Sequence, residues 1–335
     1  MRKGSSLLLF FKLPALGARD WSFLMLAGLG LLLLALLPFW LSSYSLSAMR
    51  DALILAIFAL SYDFLWGKSF TLTLGHGVFL GLGGYGLAIA TTVFGWSPWG
   101  GLLVGMAAAT VLALVVGYFL LFAGVRLHFF AIITIAVLLI VGQVATSWSS
   151  LTGGDVGILG IPGLTLPGLD LTTSVGSYGL AVLALGVVLL GLWAAMRGVY
   201  GKVLAAIGTN EFRAMTFGYN TAGHLLTVFV VSAALAGFAG GLFVACTGVV
   251  APDLFSPLLS TQVVLWVAIG GRGTLLGPVA ATIILSRLQQ VASSYSTDLW
   301  PLLLGGLFIA MIVFVPNGLG QVASGLRRRI EVRPS

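Results

Sequence analysis

Apolar residues in this chain come in long blocks, and most of the blocks share one length. Runs near 21–43, 50–66, 70–94, 100–123, 128–147, 175–196, 222–245, 274–294 and 299–317 each approach the roughly 20 residues with which a helix crosses a hydrocarbon core of about 30 Å. A shorter block, "SPLLSTQVVLWVAIGG" at 256–271, is expected as a short or broken crossing. Two interruptions are longer than the rest. Residues 149–174, "SSLTGGDVGILGIPGLTLPGLDLTTS", are rich in Gly, Pro and Thr and lack helical periodicity, so they read as turns. Residues 197–221 are polar, and hold most of the stretch "AAIGTNEFRAMTFGYNTAGH" (205–224). At the N-terminus the run from Trp21 to Leu41 exceeds the 7–15 residues of a signal-peptide core, and is read as a first membrane helix.

Composition turns this pattern into a class. The chain has 335 residues, of which 59% are hydrophobic and 7% charged, against about 25% charged in a soluble domain. So few charges leave a globule without a polar coat; the solvent is mostly lipid. The expected fold is all-α, a polytopic integral membrane protein with about ten transmembrane segments, one of them short or broken. The single cysteine, Cys246, excludes an internal disulfide and a cysteine-based metal cluster.

Charge assigns the sides. Cytoplasmic loops are enriched in Lys and Arg, and both chain ends are basic, with Arg2, Lys3, Lys12 and Arg19 at one and "RRRIEVRPS" at the other. Both termini are therefore expected inside, which needs an even number of crossings and so counts 256–271 as one. Lys68, Arg126, Arg197, Lys202, Arg213 and Arg272 then also fall inside, leaving only Arg50 and Arg287 as exceptions. Asp51, Asp155, Asp170, Asp253 and Asp298 fall outside. The organisation is a cytoplasmic segment 1–20, a membrane domain 21–318 with an inside loop 197–221 and an outside loop 149–174, and a basic tail 319–335. A short echo, "GKSFTLTLGHG" (67–77) and "GGRGTLLGP" (270–278), hints at two related halves, a frequent transporter plan.

Candidate chemistry is sparse. "LWGKS" at 65–69 has Tyr62 where a phosphate-binding loop needs its first glycine, so no nucleotide site is read there. His76, His128 and His224 stand far apart and provide no metal-ligand set. His76, inside "LGHGVFLGLGGYG", is a candidate for lining a pathway. Asp63 has two readings: an ion pair with Lys68, five residues on, or a proton or substrate site, because carboxylates inside a membrane are expensive and usually functional. Such groups are too few here for an ion-coupled secondary carrier. Gly153, Gly154 and Asp155 in "TGGD" read either as an external gating or docking turn or as glycines that supply positive φ. In the inside loop, Asn210, Arg213 and Phe217 share one side of a helix by their spacing. Gly218 reads as a helix stop, and Asn220 and Thr221 as caps of the next span. A short helix lying along the inner face would present Asn210, Glu211 and Arg213 to a cytoplasmic partner, long loops being often functional.

The segments "GKVLAAIGTNEFRAMTFGYNT", "FVVSAALAGFAGGLFVACTGVVAPDLFSPLLSTQVVLWVAIGGRGTLLGPVAAT", "ALSYDFLWGKSFTLTLGHGVFLGLGGYG" and "SLTGGDVG" resemble the LivM-type permeases of branched-chain amino acid ABC importers. The likeness covers roughly 50–320, with motifs in order. It implies a non-enzymatic subunit in a prokaryotic inner membrane, without a cofactor of its own. It also implies four kinds of contact: a second permease, two cytoplasmic ATPase subunits that bind ATP, an external or periplasmic substrate-binding protein, and lipid. Nucleic acid is not among the expected partners. In such families a cytoplasmic EAA-type loop seats in the ATPase. By resemblance Ala214 and Gly218 match the second alanine and the glycine of that loop, while Phe212 stands where the pattern has its acid and Glu211 comes one place early. Urea permeases of the same superfamily carry a segment like the one around Asp63. The "TGGD" loop lacks the paired asparagines of those proteins, so hydrophobic amino acids are the favoured substrates and urea or short-chain amides the alternative.

Overall fold

The computed structural model describes residues 17–69, 71–125, 127–165, 170–295 and a few positions between 300 and 309. The first sixteen residues, Arg126, most of the run 299–317 and the basic tail 319–335 lie outside the described residues. The described chain is helical almost throughout. In order, the helices are α1 (Ala18–Leu36), α2 (Ser43–Ser69), α3 (Gly77–Thr92), α4 (Pro98–Phe122), α5 (Leu127–Ser147), α6 (Ser149–Thr152), α7 (Ser174–Arg197), α8 (Val199–Thr209), α9 (Glu211–Thr216), α10 (Thr221–Thr247), α11 (Pro257–Gly270) and α12 (Leu276–Tyr295). Two short strands, β1 (Ile158–Leu159) and β2 (Val249–Val250), pair antiparallel.

Among the described residues, five segments are long and apolar enough to cross a membrane: Asp20–Phe39, Pro98–Phe122, Phe129–Ser147, Ser174–Arg197 and Thr221–Thr247. Two further long helices, α2 with 27 residues and α12 with 20, carry more polar groups. The protein is a multi-pass, all-α membrane protein. Helix α2 is its central post, with Leu53, Ile54, Ile57, Phe58, Leu60 and Tyr62 shut off from solvent. Helices α7, α10 and α12 pack around it, and α3 and α4 pack on α10.

Glycine lets α3, α4 and α10 approach so closely. A Cβ added at Gly240 would lie 1.8 Å from the Leu80 carbonyl oxygen, one at Gly83 2.0 Å from that of Gly237, and one at Gly86 2.5 Å from Gly105 Cα. Lipid tails are as apolar as side chains, so helices in a membrane gain by close packing more than by leaving the solvent.

The span expected at 70–94 is not one continuous helix. Helix α3 begins only at Gly77, and the chain from 71 to 76 is non-helical. Irregular backbone at membrane depth persists only where protein satisfies its polar groups, and here protein does so. Tyr62 Oη donates to the Thr73 carbonyl at 3.0 Å, and the Gly77 N–H donates to Ser260 Oγ of α11 at 3.0 Å. Gly75 is wedged against the Thr134 backbone of α5, where a Cβ would be 1.9 Å from the carbonyl oxygen. The segment 256–271 is a short helix, as expected: α11 has 14 residues, about 21 Å at 1.5 Å per residue. It is preceded by a turn whose Phe255 stacks on Tyr85 at 5.5 Å and fills the space beside Gly81 and Gly142.

The described part of the 149–174 connection is folded against the bundle. Residues 153–157 turn through positive φ at Gly153 (+77°), Gly154 (+64°) and Gly157 (+76°). Strand β1 pairs with β2, and Trp99 Nε1 donates to the Thr165 carbonyl at 2.9 Å, so the loop is stapled to the end of α10 and the start of α4.

Candidate functional site

At the end of the bundle that carries Lys68, Arg197, Lys202, Arg213 and Arg272, the polar stretch 197–221 folds into two helices. Helix α8 buries Tyr200, Gly201, Leu204 and Ile207 and turns Lys202 outward. It stops at Asn210, which is extended (φ −159°, ψ 99°), and whose side chain accepts a hydrogen bond from the Arg213 N–H at 2.9 Å. This corrects the expectation that Asn210, Arg213 and Phe217 share one helical face. Asn210 is the cap and lies outside the helix, because a short amide satisfies the free N–H groups of a first turn better than another helical residue does.

Helix α9 is pinned from beneath by Ala214, which is buried against Ile207 and Leu225. Gly218, at φ +86°, ends it in the left-handed conformation, with the Tyr219 N–H returning to the Ala214 carbonyl at 3.2 Å. Asn220 then caps α10 through the Gly223 N–H at 3.0 Å. Glu211 and Arg213 are exposed. So are Phe212 at 72% and Phe217 at 82%, side chains that the sequence reading weighed as a missing acid and as a ridge member. Their signal was available: two large aromatics in the most polar stretch of the chain, neither needed by the core.

The other candidates lie apart from this loop. Asp63 is fully buried on α2 and does not pair with Lys68 in the way expected of a simple ion pair. Its carboxylate accepts the N–H groups of Gly273 at 2.6 Å and Leu275 at 3.2 Å, in the turn between α11 and α12. Beside it Gly67 abuts Gly273, and Arg272 lies 5.1 Å over the Trp66 ring. The two echoing glycine segments thus meet, and Asp63 is the clasp between them. Leu275 holds φ +60°, a conformation unusual for a residue with a side chain, and the hydrogen bond to Asp63 helps to hold it there.

His76 is fully buried in an aromatic cage of Phe58, Tyr62 and Phe79. Ser61 Oγ donates its proton to the Phe58 carbonyl at 2.6 Å, so its 2.9 Å contact with His76 is one in which Nε2–H donates to the hydroxyl. That network assigns the proton to Nε2 and leaves Nδ1 as an acceptor without a partner. Gly153 and Gly154 supply positive φ to a tight turn, where a Cβ on Gly153 would be 2.1 Å from the Gly157 carbonyl oxygen, and Asp155 is exposed beside them. Further along the loop, Asp170 accepts from the Thr172 hydroxyl at 2.5 Å and its N–H at 3.0 Å, which holds its carboxyl below the usual aspartate range.

The profile of one family, described as the branched-chain amino acid transport system / permease component, matches residues 44–312. That span opens at α2 and takes in every helix through α12. The chain belongs to this family. Among its relatives, the high-affinity branched-chain amino acid transport system permease protein LivM of Salmonella typhimurium is 30% identical over 308 residues, covering 84% of this chain and 71% of the relative. LivM of Escherichia coli is also 30% identical, over 307 residues with the same coverage. The fructose import permease protein FrcC of Rhizobium meliloti is 28% identical over 158 residues, 45% of this chain and 43% of the relative. No solved structure matches the chain. The family is one of transport permeases, and the clasp at Asp63, the caged His76 and the α8–α9 excursion all fall within the matched span.

Proposed function

We propose that this protein is a permease subunit of an ATP-driven importer of branched-chain or similar hydrophobic amino acids, and that it forms half of the transmembrane pathway. The observation that carries the reading is the family match across the bundle together with a folded, projecting α9 in its longest polar connection. Two large aromatics, Phe212 on α9 and Phe217 just after it, are left uncovered while Ala214 beneath them is packed into the bundle. A knob anchored in this way transmits a push from a bound partner to α8 and α10. The basic end faces the cytoplasm in this reading, with both chain termini there, in a prokaryotic inner membrane. ATP is bound and hydrolysed by two separate subunits that seat against α9. A second permease completes the pathway, and a substrate-binding protein delivers solute at the 149–174 face. The coupling free energy is the difference in the ATPases' affinity for the inward-open and outward-open states.

The test is uptake into proteoliposomes holding the complete complex, with radiolabelled leucine and, separately, urea. Leucine uptake should require ATP and the binding protein, and urea uptake should be absent. Arg213→Ala and Gly218→Pro should insert normally but hydrolyse ATP with uptake reduced at least several-fold. Uptake by the purified chain alone, or unchanged coupling in both variants, would overturn the proposal.

A further inference from the structure

Two arginines, Arg50 and Arg287, escape the sorting of basic residues toward one end, and the structure accounts for them differently. Arg50 is neutralised within the chain: its Nη2 lies 2.8 Å from Asp51, and its Nη1 donates to Ser177 at 3.5 Å. Among the described residues Arg287 has no carboxylate within ion-pair distance. Its Nη1 donates to Gln290 Oε1 at 2.7 Å, and Gln290 Nε2 in turn donates to Tyr44 Oη at 3.3 Å. The guanidinium is therefore held in place by a neutral relay, with most of its five N–H donors still to be used.

The depth of this site follows from its neighbours. Helix α12 starts beside Asp63 at the basic end, through Leu275, and reaches the level of Tyr44, the second residue of α2, at Gln290. Tyr44 is 74% exposed, and Phe39 and Trp40 just before it are 81% and 90% exposed. Tyrosine and tryptophan collect at the membrane–water boundary, which places Tyr44 and Trp40 there. Arg287 sits three residues before Gln290, about 4.5 Å deeper at 1.5 Å per residue. That is within the reach of a long side chain extending its charged end toward the boundary.

Along the same helix runs an exposed strip: Ala280, Ile284 (65%), Leu288 (45%) and Val291 (55%), spaced by three and four residues. Its length is about 16 Å at 1.5 Å per residue, close to half of a hydrocarbon core of about 30 Å. Leu288 and Val291 flank the arginine on its boundary side, and Ile284 and Ala280 continue the strip inward from it for about 10 Å at 1.5 Å per residue, so a cation near the boundary is joined to an apolar track on the same helix. A small solute would meet the cation and leave the track bare, whereas an amphiphile covers both.

We propose that this face of α12 seats one phospholipid from the leaflet at the Tyr44 end. Its phosphate takes two N–H groups of Arg287, as the planar fork of a guanidinium favours, and an acyl chain lies along Leu288 and Ile284. Gln290 and Tyr44 are positioning residues that aim the arginine. The proposal is independent of the transport reading, because its experiment involves neither uptake nor ATP.

The full-length protein is titrated with palmitoyl-oleoyl-phosphatidylglycerol and the retained lipid counted by native mass spectrometry. The same titration is run with a phosphate-free diglucosyl-diacylglycerol. Wild type should hold one phosphatidylglycerol beyond the weakly held population and no equivalent glycolipid. Arg287→Gln should lower that occupancy at least fivefold, Gln290→Ala should lower it less, and Arg287→Lys should retain part of it. A melting curve for each variant separates lost lipid from lost fold, with Arg287→Lys as the informative variant should Arg287→Gln unfold. Equal occupancy in wild type and Arg287→Gln would overturn the proposal, as would equal retention of the glycolipid. Displacement of the lipid by millimolar leucine would instead assign Arg287 to a solute carboxylate, and overturns it too.

Discussion

His76 shows how much a single residue's role depends on its surroundings. Its ring touches aromatic faces, spends Nε2–H on Ser61 and leaves Nδ1 unmatched. An unmatched buried acceptor is destabilising by roughly 1–3 kcal/mol, so replacing the imidazole by a benzene ring removes one hydrogen bond and one penalty together. His76→Phe should keep stability within about 1 kcal/mol, whereas His76→Ala should lose about 2–5 kcal/mol through the cavity it leaves. Thermal melts in detergent check both. Uptake by His76→Phe should match wild type, because the ring is enclosed and serves packing. A fall in uptake without a fall in melting temperature would give His76 a place in the pathway during another step of the cycle. Gly153 and Gly154 both adopt positive φ, a conformation that glycine reaches without steric cost.

At the scale of elements, the glycines of α3 and α10 matter for what they permit at the contact. The Gly83–Gly237 and Leu80–Gly240 approaches put backbone against backbone, and neither helix yields without moving the other. Gly240→Ala should therefore cost about 1–3 kcal/mol or more, as overpacked cores do, and lower the melting temperature, while Gly191→Ala, which meets nothing within 4 Å, should not. Equal melting temperatures for the two variants would refute the close approach of α3 and α10. The caps tell the opposite story. Asn210, Gly218 and Asn220 act within three to five residues of themselves, so their roles were open to a reader of the sequence. Only the side of Asn210 was misjudged, because a helical wheel assumes the very helix that a cap interrupts.

On the scale of the whole molecule, Asp63 joins two distant connections at the basic end, the end of α2 and the turn between α11 and α12. Its carboxylate ties α2 to the α11–α12 turn, and Gly67 presses the same turn. Asn at this position would offer one acceptor where the turn presents two N–H groups. Asp63→Asn should lower stability by about 1–3 kcal/mol, read as a melting shift, and should loosen protection of the Gly273 and Leu275 amides in hydrogen exchange. Retained protection would remove Asp63 from that role. The membrane class, the sorting of basic residues to one end, the polar excursion before α10 and the family likeness were all determined by sequence alone. Each rests on composition or on neighbours within a few residues, and lipid as solvent enforces the first two whatever the packing. What only the tertiary structure decided are contacts between distant positions: the partners of Asp63, 210 and 212 residues away, the interruption before α3, and the different fates of Arg50 and Arg287. Those depend on which helices stand side by side, and apolar blocks of one length carry almost no record of their neighbours.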